Sequence, residues 1–200
     1  MIAALYVIRD GPYSNLPDID AWPEERDART YAGPHPVIAH PPCARWGRYW
    51  SKAGAKMGED GGCFKSALES VQRWGGILEH PEGSHAWPAF GISKPPRTGG
   101  WIRAGLFIDG WTCCVEQGHY GHRARKPTWL YFVGQRRPPE LRWGPSDVDP
   151  RYRIAEDATP KERKRAVRMG VIQRLSKRQR KATPIEFRDL LISIVRSQVA

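Results

Sequence analysis

Pro36-Val37-Ile38-Ala39-His40-Pro41-Pro42-Cys43 is an apolar run that ends in a double proline, the pattern of a buried strand releasing the backbone into a rigid loop. A cysteine held there is a candidate nucleophile. A second short apolar run, Gly75-Gly76-Ile77-Leu78, closes in Glu79-His80-Pro81, so a carboxylate sits at the equivalent end of a second strand. Between the two, Phe64, Ala67, Leu68, Val71 and Trp74 recur at three- and four-residue intervals, the period of a helix with one buried face. Strand, helix, strand in that order predicts a parallel crossover. It brings Cys43 and Glu79 to the same edge of the sheet, where open α/β sheets place their ligands.

Working outward, residues 1–8 read as a first strand, followed by a turn-rich loop from Gly11 to Pro23 that contains Asp18 and Asp20, and a short helix from Glu24 to Tyr31. Trp111 to Gln117 and Thr128 to Val133 are rich in β-branched and aromatic residues and suit two late strands. The loop between them carries His119, His122, Arg123, Arg125 and Lys126. Thr159-Pro160-Lys161-Glu162 and Thr183-Pro184-Ile185-Glu186 both place a proline at a helix start. The first predicts a basic helix to about Arg180. The second predicts a last helix whose Phe187, Leu190, Leu191, Ile194 and Val195 form an apolar stripe that docks on the sheet or joins two subunits.

The chain has 200 residues and a formal net charge of +11, unevenly spread. Through Trp50 there are five Arg or Lys against six Asp or Glu, whereas residues 151–182 hold twelve against three. That block is the expected polyanion contact, with a solvated basic helix as the plain alternative. No stretch approaches the length of apolar sequence that spans a membrane. The four cysteines, at 43, 63, 113 and 114, lack metal-knuckle or disulfide-framework spacing. Cys113 and Cys114 on one strand point to opposite faces, so no metal site is expected. A reducing, cytoplasmic setting, in a bacterium or a phage-infected cell, is the expectation.

Pro41-Pro42-Cys43, Glu79 and the segment from Tyr120-Gly121 through Arg123, Arg125 and Lys126 to Tyr131-Phe132-Val133-Gly134 together resemble the DNA cytosine-5 methyltransferases, particularly short, divergent forms from phages and prophages. His80 and Pro81 depart from the residues that follow the glutamate in that family. The resemblance covers roughly residues 36–134. It implies a small, doubly wound, mostly parallel α/β sheet of truncated Rossmann-like methyltransferase type, with a basic helical C-terminal appendage. Residues 1–135 would form the catalytic core, 136–182 a basic DNA-contact region and 183–200 a helix packed on the core.

The implied reaction transfers a methyl group from S-adenosylmethionine to carbon 5 of cytosine. Cys43 adds to carbon 6, and Glu79 meets N3 through a carboxyl group kept partly protonated by an apolar setting. Arg125 or Arg123 holds the O2 edge or a flanking phosphate. Asp10, Asp20 and Trp22 are the cofactor candidates, although Arg9-Asp10-Gly11-Pro12 is not the glycine-rich loop such enzymes carry. Arg45, Arg48, Lys126, Lys161, Arg165, Arg168, Lys177 and Arg178 are the expected DNA contacts, and Trp46 and Trp50 either stack on a base or pack in the core. A noncatalytic DNA-binding protein of the same ancestry, and a pyrimidine-modifying enzyme with another donor, are the alternatives.

Overall fold

Ile2–Leu5 and Val37–Ala39 are fully buried runs, and they form two adjacent parallel strands, β1 and β3. The computed structural model describes residues 1–48, 50–53, 56–148, 152–153, 160–169 and 173–198. Between these two strands the chain makes β2, Ile19–Trp22, which pairs in parallel on the outer side of β1. The loop expected from Gly11 to Pro23 therefore contains an edge strand. Tyr6, at φ 59°, lies in the left-handed region and ends β1 well short of residue 8. The short helix expected over 24–31 is two single turns, Glu24–Arg26 and Ala28–Thr30, hinged at Asp27.

The crossover that follows β3 is the one the sequence predicts. Helix α1, Cys63–Trp74, buries Phe64, Ala67, Leu68 and Val71, and Asp60 accepts hydrogen bonds from the backbone N–H of Phe64 at its N-terminus (2.8 Å) and from the Trp46 indole (2.8 Å). Strand β4, Gly76–Pro81, returns parallel to β3 with Ala39 opposite Leu78. Gly76 has φ 121°, and a side chain there would collide with the Val37 carbonyl, so the close approach of the two strands requires glycine.

Beyond β4 the expectation of a mostly parallel sheet fails. The short helix α2 (Ala86–Ala89) and the hairpin of β5 (Ile102–Arg103) and β6 (Trp111–Glu116) come first. β7 (Pro127–Val133) then inserts between β4 and β6, antiparallel to both. The order is β2-β1-β3-β4-β7-β6-β5. Three pairings are parallel and three antiparallel among the described residues, and the longest ladders are the antiparallel ones. The fold is thus mixed α/β rather than a doubly wound parallel sheet. A hairpin needs only a short loop, and the 118–126 connection is too short for the crossover a parallel β6–β7 pair would need.

Both faces are nevertheless covered. α1 packs on the side carrying Leu5, Val37, Ala39, Leu78, Cys114 and Tyr131. The last helix, Ile185–Arg196, covers the other with Phe187, Leu191, Ile194 and Val195 against Ile38, Ile77, Cys113 and Leu130. Cys113 and Cys114 do face opposite ways, and all four cysteines are free thiols.

The basic segment is more broken than expected. β8 (Tyr152–Arg153) pairs with β9 (Gln173–Arg174), and the single helix expected to about Arg180 is two, α3 (Pro160–Arg168) and α4 (Lys177–Lys181). The last helix is accordingly α5. No helix among the described residues is long and apolar enough to cross a membrane.

Candidate active site

The register that sets Ala39 opposite Leu78 makes His40 and Glu79 neighbours at the C-terminal edge of the parallel strands. Both side chains point to the α5 side, because side chains alternate along a strand. His40 Nδ1 lies 3.0 Å from Glu79 Oε2, and each side chain is 13% exposed. On its other nitrogen, His40 meets the buried Tyr13 hydroxyl at 2.9 Å. Gln117, buried at the end of β6, donates to the second Glu79 oxygen (3.3 Å) and to Thr128 Oγ1 (2.8 Å). Four residues from four segments thus fix one carboxylate.

Glu79 differs from the expectation in its charge. Burial works to raise it, but the hydrogen bond and charge of His40, with Lys126 beside it, outweigh burial and hold the carboxyl below the usual range. It is ionised at neutral pH, where an apolar setting alone would have left it partly protonated.

Cys43 stands just past the same edge, half-buried, its carbonyl accepting from the N–H groups of Trp46 (3.1 Å) and Gly47 (2.7 Å). Burial pushes its thiol up and the Glu79 charge adds to this, while Lys181 and Lys126 pull it down. The resting group is a thiol, held so first by burial and then by the Glu79 charge, against the two lysines.

The loop that carries Cys43 is braced from below. His80, alternating to the α1 side, is completely buried, accepts from Ser84 Oγ (2.8 Å) and stacks on Trp87. Burial pushes His80 down to about 4, against the opposing pull of the Glu79 charge and the Pro42 backbone. His80 is a neutral support under Pro41-Pro42.

The expected basic residues separate into distinct places. Lys126 is drawn into the site: burial lowers it, Glu79 and Cys43 favour its charge, and its ammonium donates to the Ala182 carbonyl (3.1 Å). Arg48 is bonded to Glu82 (2.6 Å), which also pairs with Arg97, so Arg48 ties the Cys43 loop to the end of β4. Arg45 is half-buried beside it. Arg125 donates to the Ser146 carbonyl (3.3 Å), and Arg123 is exposed on the 118–126 loop. Lys161, Arg165 and Arg168 are exposed on α3, whereas the side chains of Lys177 and Arg178 lie outside the described residues. Trp46 is a core residue, packed on Phe64 and Phe90.

At the expected cofactor end, both oxygens of Asp20 are engaged, one by the Trp22 indole (2.7 Å) and one by Arg26 (2.5 Å). Arg26 also covers the Trp22 ring at 4.0 Å, and Tyr31 meets it edge-on. Asp10 is exposed in a turn. This arrangement engages both carboxylate oxygens that a ribose would need, and Arg26 takes one face of the indole that adenine would need.

The sequence reading passed over His40, Tyr13 and Gln117. For His40 the signal was present, since the argument that puts Glu79 at the end of one strand puts His40 at the end of its parallel neighbour. Among the described residues, no group of three or more His, Cys, Asp or Glu is placed to hold a metal ion.

No family model matches the chain, and no curated protein matches it. The reading of this site accordingly rests on its own geometry and chemistry.

Proposed function

We propose that the protein modifies the pyrimidine ring of cytosine in DNA through a covalent Cys43 intermediate, with methylation at carbon 5 as the reaction. The observation that carries this reading is the convergence of the Cys43 thiol, the Glu79 carboxylate and the Lys126 ammonium on one sheet edge. A pyrimidine ring needs these three at once: a soft nucleophile for carbon 6, a group that exchanges a proton with the ring nitrogen, and a cation for the charge that collects on the ring or on a flanking phosphate.

The Cys43 proton passes to solvent, and the thiolate then forms the S–C6 bond. The electron pair of the C5–C6 double bond moves into the ring as N3 takes a proton from the Glu79 carboxyl. Carbon 5 is now an enamine-like nucleophile. After it has bonded to an electrophile, its proton passes to a water molecule, cleavage of S–C6 restores the double bond and the thiolate, and N3 returns its proton to the Glu79 carboxylate.

S-adenosylmethionine is the donor that the resemblance implies, but Asp20 and Trp22 do not fit it as they stand, so no step is derived through it. The thiol and carboxylate chemistry is common to any electrophile delivered to carbon 5. DNA is the proposed polymer because α3 presents Lys161, Lys164, Arg165 and Arg168 to solvent, a surface with no use for a free nucleotide.

The test is intact-mass analysis after incubation with S-adenosylmethionine and a pool of duplexes carrying 5-fluorocytosine, whose fluorine cannot leave as a proton does. An adduct of protein, DNA and methyl group that Cys43→Ala abolishes is the expected result. Salt-sensitive DNA binding that is unchanged by Cys43→Ala, with no adduct from any donor, would instead make the protein a binder.

A further inference from the structure

The proposed addition needs a proton on Glu79, yet the resting carboxyl is ionised. The missing proton has an evident place. We propose that His40 is the proton store of this site, holding on Nδ1 the proton that Glu79 hands to the ring nitrogen of a bound pyrimidine and recovering it when the thiolate departs. This inference rests on the function proposed above and goes beyond it.

The geometry specifies both ends of the imidazole. Nδ1 points at Glu79 Oε2 (3.0 Å) and Nε2 at the Tyr13 oxygen (2.9 Å). In the loaded state the ring is an imidazolium that donates through both nitrogens, one bond to the carboxylate and one to the tyrosine oxygen. When a ring nitrogen draws a proton from Glu79, the Nδ1 proton crosses to Oε2, and His40 is left neutral with its remaining hydrogen on Nε2, still donating to Tyr13. No atom is gained or lost, and the net positive charge passes from the imidazole to the substrate ring.

Tyr13 cannot supply the proton itself. Burial, then the Glu79 charge, raises its hydroxyl far above the ordinary tyrosine range, with Arg188 pulling down and Asp189 up. It therefore serves as a fixed acceptor that selects the tautomer His40 adopts after the transfer. Its place is secured by α5: the Arg188 guanidinium donates to the Pro12 carbonyl at 2.6 Å, next to Tyr13 in the chain. Lys126, His80 and the Cys43 thiol also couple to the Glu79 charge, and the neutral Gln117 amide donates to its second oxygen. His80 is buried as a neutral ring, and burial lowers Lys126 while the Glu79 and Cys43 charges favour its ammonium form. His40 is the neighbour whose ring nitrogen lies within hydrogen-bond reach of a Glu79 oxygen, at 3.0 Å, and an imidazole can both give and take a proton there.

His40 acts through Glu79, so it is a positioning residue, and its test has to read protons. DNA carrying pyrimidin-2-one traps the thiolate at carbon 6 without any donor, because that ring lacks the exocyclic amine and is more electrophilic. Single-turnover adduct rates would be measured from about pH 6 to about pH 9 for the wild type, His40→Asn and Tyr13→Phe, each checked for folding by circular dichroism. Asparagine keeps a donor to Glu79 but carries no spare proton. The expected result is a wild-type rate that rises as Cys43 ionises and then falls on the alkaline side, a loss of about a hundredfold in His40→Asn with that alkaline fall abolished, and about a tenfold loss in Tyr13→Phe. A wild-type rate and profile in His40→Asn overturns the inference.

Should the wild type form no adduct, the proposed function fails, and the His40 assignment is decided separately by carboxyl ¹³C NMR of the unliganded protein. If His40 stores the proton, Glu79 moves up from its depressed position in His40→Asn. A Glu79 signal that titrates as in the wild type refutes it.

Discussion

Glu79 and Lys126 act on one thiol in opposite directions: the carboxylate raises the proton affinity of Cys43 and the ammonium lowers it. Cys43 is therefore a reporter for both charges, whatever substrate the protein takes. Alkylation by iodoacetamide, followed by mass spectrometry, is expected to be slow at neutral pH and to accelerate as pH rises. Glu79→Gln should speed it by about threefold or more and Lys126→Met should slow it by a similar factor. Equal rates in all three proteins would remove the electrostatic link.

His80 predicts an acid-sensitive stability. Its ring stays neutral in the folded protein down to about 4 against an ordinary 6.5. Between those values the unfolded chain binds a proton that the folded one does not. Stability is full above about 6.5 and is lost progressively as pH falls toward about 4, by roughly 3 kcal/mol. Urea midpoints of the wild type and His80→Asn, compared across that window, should converge as the acid end is approached. Parallel curves would exclude the histidine as the cause.

The strand-helix-strand unit was legible because its signals are local and strong: a run bounded by proline, a helical stripe and a second short run. Strand direction beyond it was not. Thr128 to Val133 reads the same way up or down, and only the shortness of the 118–126 connection decides that β7 runs against β6. β2 was hidden because it is a four-residue edge strand, half-buried throughout, with no apolar run to announce it. Glu79 was placed correctly while its charge was misjudged, since the reading considered burial and overlooked a histidine that lies 39 residues away in the chain.

Lys161, Arg165 and Arg168 are exposed together on α3. If they neutralise DNA phosphates, replacing all three with alanine should make the slope of log affinity against log salt concentration shallower by up to about 2.7, at 0.9 for each phosphate contact. Cys43→Ala should leave the slope unchanged. Fluorescence anisotropy over a salt series measures both, and an unaltered slope in the triple variant would move the DNA contact elsewhere.

Leu191, fully buried beneath the sheet, measures how firmly α5 is docked. Leu191→Ala should cost about 2 to 5 kcal/mol in denaturant unfolding. Because α5 also holds the Pro12 carbonyl, the same variant should expose Tyr13, seen as increased quenching or nitration of that residue. A cost below about 0.5 kcal/mol would mean that the helix contributes little to the core.

The bond from Arg188 to Pro12 joins positions 176 residues apart, and this has a consequence for the newborn chain. A ribosome adding about 5 to 20 residues per second takes ~10 to 35 s to travel from one to the other. In the later part of that interval the strands of the main sheet, α1 and Cys43 have been synthesised while the clamp on Tyr13 has not. The thiol is made early and the contact that holds Tyr13 is completed last, so an emerging chain carries Cys43 for many seconds before the Tyr13 end of the His40–Glu79 network is fixed.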